Sequence, residues 1–387
     1  MPDSTVAPTA VLDCATNREI TQQPEVWCQT AQYVRDHRDR INAFLAPQLS
    51  REGLRIIFTG AGTSSFAGEI AAPALAQQLS RRIEAIANTD LVSNPATYLA
   101  EDVPTLLVSF ARSGNSPESV AATRIADQIL SDVSHLVITC DPAGALFRDH
   151  SERPESLVLL MPELCNDEGF AMTSSFTSML LASLLIFVGD NDAAIESVAA
   201  AAESLIASRD VIESLVARDA ERIVYIGSGP LAGLARESAL KLLELTAGRI
   251  VTHFDSSLGF RHGPKAVLND KTLAVVYVSS DPYTRRYDED IISELRNSLG
   301  TDRVVTISGQ PSEATNGVGW VLDDLDGVDD AYRSLAYVVF AQLFGFHYSV
   351  YLGITPDNPF PGGDVNRVVK GVRIYPLFTD TEQQIGR

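Results

Sequence analysis

Lysine is nearly missing from this chain. It occurs only at positions 241, 265, 271 and 370, and arginine supplies the other cationic side chains. Each retained lysine therefore invites the question of what it does. Positive charge is scarce overall: 50 acidic residues against 30 basic ones give a formal net charge of −20. That balance disfavours nucleic acid and anionic membranes as partners. It also means that an anionic substrate must be held by local donors, because the overall field repels it. Cysteine is limited to Cys14, Cys28, Cys140 and Cys165, with no paired spacing. Neither a disulfide framework nor a cysteine metal site is expected, and a reducing cytoplasm is the default location. His37, His135, His150, His253 and His347 show no metal-type spacing either, so the expectation is no metal and no cofactor. Long apolar runs are missing too. Met179 to Val188, the longest, is about half of the roughly 20 residues that a membrane span requires. The first residues, MPDSTVAPTAVLDCATNRE, contain no basic region followed by an apolar one, so no signal peptide is expected.

What is present is a repeated plan. An apolar fraction of 45% over 387 residues can fill the cores of two ordinary domains. RIIFTGAG begins at Arg55 and RIVYIGSG at Arg222; TLLVSF begins at Thr105 and TLAVVY at Thr272. Both pairs are offset by 167 positions. LVITCDP from Leu136 and VVTISGQP from Val304 follow at nearly that offset. Three short β-branched strands repeated at one offset argue for a duplicated domain. Strands alternating with helical stretches make each half an α/β unit with a parallel sheet. The expected division is an N-terminal segment and helix at 1–50, a first domain at 51–190, a helical connector at 191–219 and a second domain at 220–387. Residues 1 to about 20 are polar and proline-containing, which predicts a loose or surface-packed segment. Pro24 to Leu49 reads as one helix, with Trp27, Tyr33, Ile41 and Phe44 available for a buried face.

The most informative stretch is SFARSGNSPES, Ser109 to Ser119. It follows an apolar strand and opens a helix, with Ser116 suited to the N-cap, Pro117 to the first turn and Glu118 to the positive end of the helix dipole. Arg112, Ser113, Asn115 and Ser116 then surround free backbone N–H groups, an arrangement that holds an anion. GAGTSS, Gly60 to Ser65, ends the preceding core strand. Gly62 permits close backbone approach, while Thr63 and Ser64 offer hydroxyls at a second helix start. Loops at consecutive strand ends converge on one crevice in doubly wound folds, which makes a phosphate cradle the natural reading. There is no Gly-Lys-Ser/Thr run, so nucleotide hydrolysis is disfavoured. The second half has VSSDPYTRRYDED at the matching place, which leaves one phosphate-type site, in the first half.

The second half carries ESALKLLEL, in which Glu237, Lys241 and Glu244 share one helix face. They could form a solvated ladder of charges. The apolar neighbours Leu240, Leu242, Leu243 and Leu245 instead favour burial, where a carboxylate's pKa rises and it can move protons. His262 lies in a loop between Gly259 and Gly263-Pro264, a poor place for a core histidine and a good one for a functional group. Lys370 stands between apolar runs near the C-terminus.

Taken together these motifs resemble the double-SIS (sugar isomerase) family, and the resemblance covers almost the whole chain. GAGTSS is similar to the family's first phosphate loop and ARSGNS to its Ser-Gly-x-Ser/Thr loop. LKLLEL with RHGP resembles the isomerase domain of glucosamine-6-phosphate synthase. The resemblance implies two tandem SIS domains, each a parallel sheet flanked by helices in a flavodoxin-like three-layer sandwich. It implies that Glu244 moves the proton between C1 and C2, with Lys241 beside it. It implies that His262 assists ring opening from a neighbouring subunit and that Lys370 approaches the sugar carbonyl. Thr63, Ser64, Ser113 and Ser116 would hold the phosphate, with Thr173 and Ser174 near the sugar by a weaker match. No glutaminase segment precedes the two halves in this sequence, so glutamine-dependent synthesis is not expected. SFARSGNSPES, EGFAMTSSFTSM, GFRHGPK and DVNRVVKGV look closest to the branch of galactosamine-6-phosphate deaminase/isomerases, also called tagatose-6-phosphate ketose/aldose isomerases. Lys370 departs from the glutamine usual in that branch. The implied reaction converts galactosamine 6-phosphate to tagatose 6-phosphate and ammonia. Glucosamine 6-phosphate deamination and a non-catalytic sugar-phosphate-binding regulator are the alternatives. The implied partners are a sugar phosphate and a second copy of the chain, in a homodimer or higher homo-oligomer with shared active sites.

Overall fold

The computed structural model describes residues 13–369 and 371–377. The first half contains β1 (Arg55–Thr59), β2 (Ile83–Ala85), β3 (Thr105–Ala111), β4 (Val133–Thr139) and β5 (Ser156–Leu160). The second contains β6 (Arg222–Ile226), β7 (Val251–Asp255), β8 (Thr272–Tyr277), β9 (Val304–Ser308) and β10 (Gly319–Val321). The sheets run β2-β1-β3-β4-β5 and β7-β6-β8-β9-β10, and every pairing is parallel. Both therefore have the flavodoxin-like order, with the topological switch between the first and third strands of each half. The central strands are apolar along their whole length because helices cover both faces. The repeat holds down to the register: Arg55 pairs with Thr105, and Arg222 with Thr272.

One hydrophobic core joins the halves, running from Ile56, Phe58 and Val108 to Tyr225, Val275 and Tyr277 without a break. At its centre is the Asp330–Tyr351 helix, buried from Asp330 to Ser349. The helices that follow β1 and β6, Thr63–Leu79 and Pro230–Leu245, lie against each other. Their equivalent positions meet: Arg236 Nη1 donates to Glu69 Oε1 at 2.6 Å across the repeat offset of 167. Arg236 also stacks on Phe66 and Phe254, at 4.7 and 5.5 Å from the ring centres. Gly233 makes the approach possible. A Cβ there would stand 2.9 Å from Ile70 Cγ1 and 3.1 Å from the Glu69 carbonyl carbon.

Two expectations for the N-terminal region need correction. Ala15–Thr21 is helical rather than loose, with Thr16, Glu19 and Ile20 buried. Its first N–H groups are capped from far along the chain, since Ala15 N and Thr16 N donate to Asp357 at 2.9 and 2.8 Å. The single helix expected over 24–49 is two, Gln23–Asp36 and Arg38–Leu49, broken at His37. The His37 ring lies 2.8 Å from the Tyr33 carbonyl and takes part in closing the first helix. No helix among the described residues is long and apolar enough to cross a membrane.

The helix crossing yields a direct check. Gly233→Val meets backbone on the facing helix, which cannot rotate aside, and should destabilise the protein by about 1–3 kcal/mol. A lowered thermal midpoint, beside a near-neutral valine substitution at the half-buried Ala232 of the same helix, would bear this out; an unchanged midpoint would contradict the contact.

Candidate active site

The two loops singled out in the sequence converge at the ends of β1 and β3. Gly60 and Gly62 are required for the first turn: a Cβ on Gly60 would strike Ser64 at 2.6 Å, and Gly62 has φ +54°. In the second, Gly114 has φ +64° and Ser116 caps the Pro117–Ile129 helix, accepting from Ser119 N at 3.3 Å. The Ser116 and Ser119 hydroxyls are 2.6 Å apart, and Asn88 Nδ2 donates to Ser119 at 2.9 Å. Between the loops is a cavity of about 120 Å³ lined by Ser64, Arg112, Ser113, Ser116, Ser119, Met172 and the C-terminal segment Arg367–Val369. It is small for a whole ligand, where about 300 Å³ is the usual minimum, and suits the charged end of one. Arg112 is buried; burial, with Arg367 beside it, lowers its pKa against the opposing pull of Asp167 and Glu244.

The Pro230–Leu245 helix brings the second half to the same place. Gly62 faces Leu240 of that helix, and buried Thr63 lies against Glu237. Lys241 is buried between two carboxylates, its Nζ 2.5 Å from Glu244 Oε2 and 3.5 Å from Glu237 Oε1. The solvated ladder considered above is thus excluded at Lys241 and Glu237, whose side chains are 1% and 0% exposed, while Glu244 keeps 24%. Burial would strip the Lys241 proton, but Glu237 and Glu244 overcome that and hold its pKa above the ordinary value. Burial pushes Glu237 up to about 8, aided by Glu244 and opposed by Lys241 and Thr63. Burial thus favours the protonated form of Glu237, while the Lys241 ammonium donates to Glu244. Glu244 is the member of the row that stays partly open to solvent.

Not every predicted residue reaches the cavity. Asn115 turns away, its Oδ1 accepting from Ala145 N at 3.0 Å. Thr173 and Ser174 are fully buried and already committed. Thr173 Oγ1 donates to Asp167 at 2.9 Å, and Ser174 Oγ donates to the Glu19 carbonyl at 2.7 Å. Asp167 also accepts from the backbone N–H groups of Thr173, Ser174 and Ser175, so it caps the Ser174–Val188 helix. His262 is exposed at the end of the Gly259–Arg261 turn and does not line the cavity. Lys370 lies outside the described residues. Arg367 and Met172 are lining residues that the sequence did not single out, since only the tertiary fold brings them to the serine loops.

The second half has a counterpart crevice, and its donors are already taken. Ser257 Oγ, Ser228 Oγ and Ser279 N donate to Asp288 at 2.5, 3.1 and 3.0 Å. Ser279 Oγ and Ser280 N donate to Asp330 at 2.5 and 2.6 Å. Asp281 and Asp329 line the opening as well. Four carboxylates there would repel a phosphate, whereas the first-half cavity presents arginine.

The description "SIS domain" fits the chain twice, over residues 48–189 and 217–314, and the protein belongs to the SIS domain family. Its relatives narrow the class. It is 43% identical over 381 residues to the D-galactosamine-6-phosphate deaminase AgaS of Escherichia coli, covering 97% of this chain and 99% of that protein. A protein of Streptomyces coelicolor is 56% identical over 367 residues, 94% and 95% of the two lengths. The solved tagatose-6-phosphate ketose/aldose isomerase of Escherichia coli superposes with a TM-score of 0.89 at 41% identity, covering 98% of this chain and all of that one.

The protonated carboxyl of the row has a measurable signature. Glu237 holds its proton to about pH 8 when folded but loses it near 4.5 when unfolded. The folded state therefore binds more protons across that window, and this residue's contribution to stability falls as pH rises through it. Glu237→Gln should flatten the decline of the thermal midpoint between about pH 4.5 and about pH 8. An unaltered slope would show that Glu237 does not carry the proton.

Proposed function

We propose that this enzyme deaminates galactosamine 6-phosphate, giving tagatose 6-phosphate and ammonia. The observation that carries the reading is the convergence of an arginine- and serine-lined anion cavity from one half with the Glu237–Lys241–Glu244 row from the other. A non-catalytic sugar-phosphate sensor would need the cavity alone. Relatives named as galactosamine-6-phosphate deaminases, aligned over nearly the whole chain, supply the choice of sugar.

In this mechanism the 6-phosphate occupies the cavity of Ser64, Arg112, Ser113 and Ser116, which orients carbons far from it. His262 opens the pyranose. Glu244 takes the C2 proton of the aldehyde form and leaves an enolamine. It returns a proton to C1, and the resulting ketimine takes up water and releases ammonia, leaving the ketose. The Lys241 ammonium holds Glu244 in place and offsets negative charge during the transfer. Lys370 meets the developing charge on O1. Because His262 does not line the cavity of its own chain, it acts from a second copy in a homodimer or higher assembly. Exposed Val251, Phe254 and Leu258, on the edge strand β7 and just after it, offer an apolar edge for that contact.

Ammonia release should be measured side by side with galactosamine 6-phosphate and glucosamine 6-phosphate, the former turning over faster. Glu244→Gln should abolish release, a loss of at least about 10²-fold, while inorganic phosphate still binds by calorimetry. Turnover at the wild-type rate would sink the assignment. Ser64→Ala with Ser113→Ala should raise KM by about tenfold or more; an unchanged KM would move the phosphate elsewhere.

A further inference from the structure

Arg367 comes from the C-terminal segment, 255 positions beyond Arg112, yet the two arginines line one cavity. Arg112 Nη2 donates to the Arg367 carbonyl at 3.2 Å, fixing that segment over the serine loops. Farther along, Ile374 and Leu377 pack on the apolar cluster of Leu107, Ala121, Ala122 and Ile125. That cluster includes one face of the helix whose N-terminus, capped by Ser116, faces the cavity. The tail is thus held on both sides of residue 370 by the first half. The two cations sit close enough for Arg367 to disfavour the charge of Arg112, and neither has a carboxylate within ion-pair distance among the described residues. Arg112 also donates to the Gly169 and Phe170 carbonyls at 3.5 and 3.4 Å. Two arginines lining one cavity with serine hydroxyls, in a chain of net charge −20, are stabilised by an anion beside them.

We propose that Arg367 is a second cationic contact for the substrate phosphate, closing the cavity opposite Arg112. A phosphate monoester carries nearly two negative charges at neutral pH. One buried arginine with neutral serines matches only one of them, and the tail supplies the other. The assignment rests on the reading of this cavity as the phosphate site, but not on the identity of the sugar or on the deamination.

The test is calorimetric titration of the full-length protein with inorganic phosphate, alongside KM for the amino sugar phosphate. Arg367→Ala should weaken phosphate binding by about tenfold and raise KM in parallel, with Arg367→Lys recovering part of both, since a lysine keeps the charge but loses the fork. Both effects should shrink in 1 M salt, because Arg367 is exposed. Circular dichroism and the thermal midpoint establish that the variants are folded. Phosphate affinity within twofold of wild type in Arg367→Ala overturns the proposal, even if turnover falls. A wild-type protein that binds no phosphate overturns it as well. A wild type that binds phosphate but releases no ammonia contradicts the reaction while leaving the loss in Arg367→Ala as support for the contact.

Discussion

The site exists because two helices that hold the same place in the two halves cross closely enough for their backbones to meet. Gly233 on one faces Glu69 and Ile70 on the other. The Arg236–Glu69 pair, at equivalent positions, latches the crossing. Each half alone has an open crevice at its strand ends. The crossing sets the first-half loops beside the second-half helix, so Thr63 lies against Glu237 and Gly62 faces Leu240. In the proposed mechanism the duplicated fold divides its labour: one copy grips, and the other moves protons.

Charge follows the same division. The first copy keeps arginine at its crevice, and the second fills its own with Asp288 and Asp330, which accept from the donors lining that crevice. Burial pushes Asp288 up to about 6, against the donors it accepts from, and with Asp330 it takes up serine donors that an anion would otherwise use in that crevice. In the row of Glu237, Lys241 and Glu244 the first two side chains are buried and the third is partly open. Three charges there would be costly to desolvate. Burial favours a proton on Glu237, which leaves one ammonium–carboxylate pair with Glu244 at the solvent edge. That arrangement keeps a charged lysine inside the protein.

Much of this was legible in the sequence, for physical reasons. Strands buried on both faces must be apolar and β-branched, so three repeated strands showed the duplication, and the register of β1 with β3 and of β6 with β8 bears it out. Tight turns that need φ near +60° require glycine, which exposed the two loops. The spacing of Glu237, Lys241 and Glu244 put them on one helix face. What was not legible depends on long-range closure. The hydroxyls of Thr173 and Ser174 are taken by Asp167 and the Glu19 carbonyl, partners that no local pattern indicates. The helix at Ala15 is capped by Asp357, 342 positions away. Arg367 lies within DVNRVVKGV, but nothing local marks it as a cavity residue. The break at His37 was missed because the apolar pattern continues through it.

In the proposed mechanism a carboxylate from the second half moves a proton on a sugar phosphate gripped by the first. The most direct measurement is to run galactosamine 6-phosphate through the enzyme in heavy water and examine the ketose by NMR. Glu244 keeps 24% of its side chain exposed and so exchanges with solvent between taking the C2 proton and returning one. The account predicts ammonia and tagatose 6-phosphate with deuterium at C1 in a measurable share of the product. Ketose formed with no solvent deuterium at C1, or substrate returned intact, would contradict it.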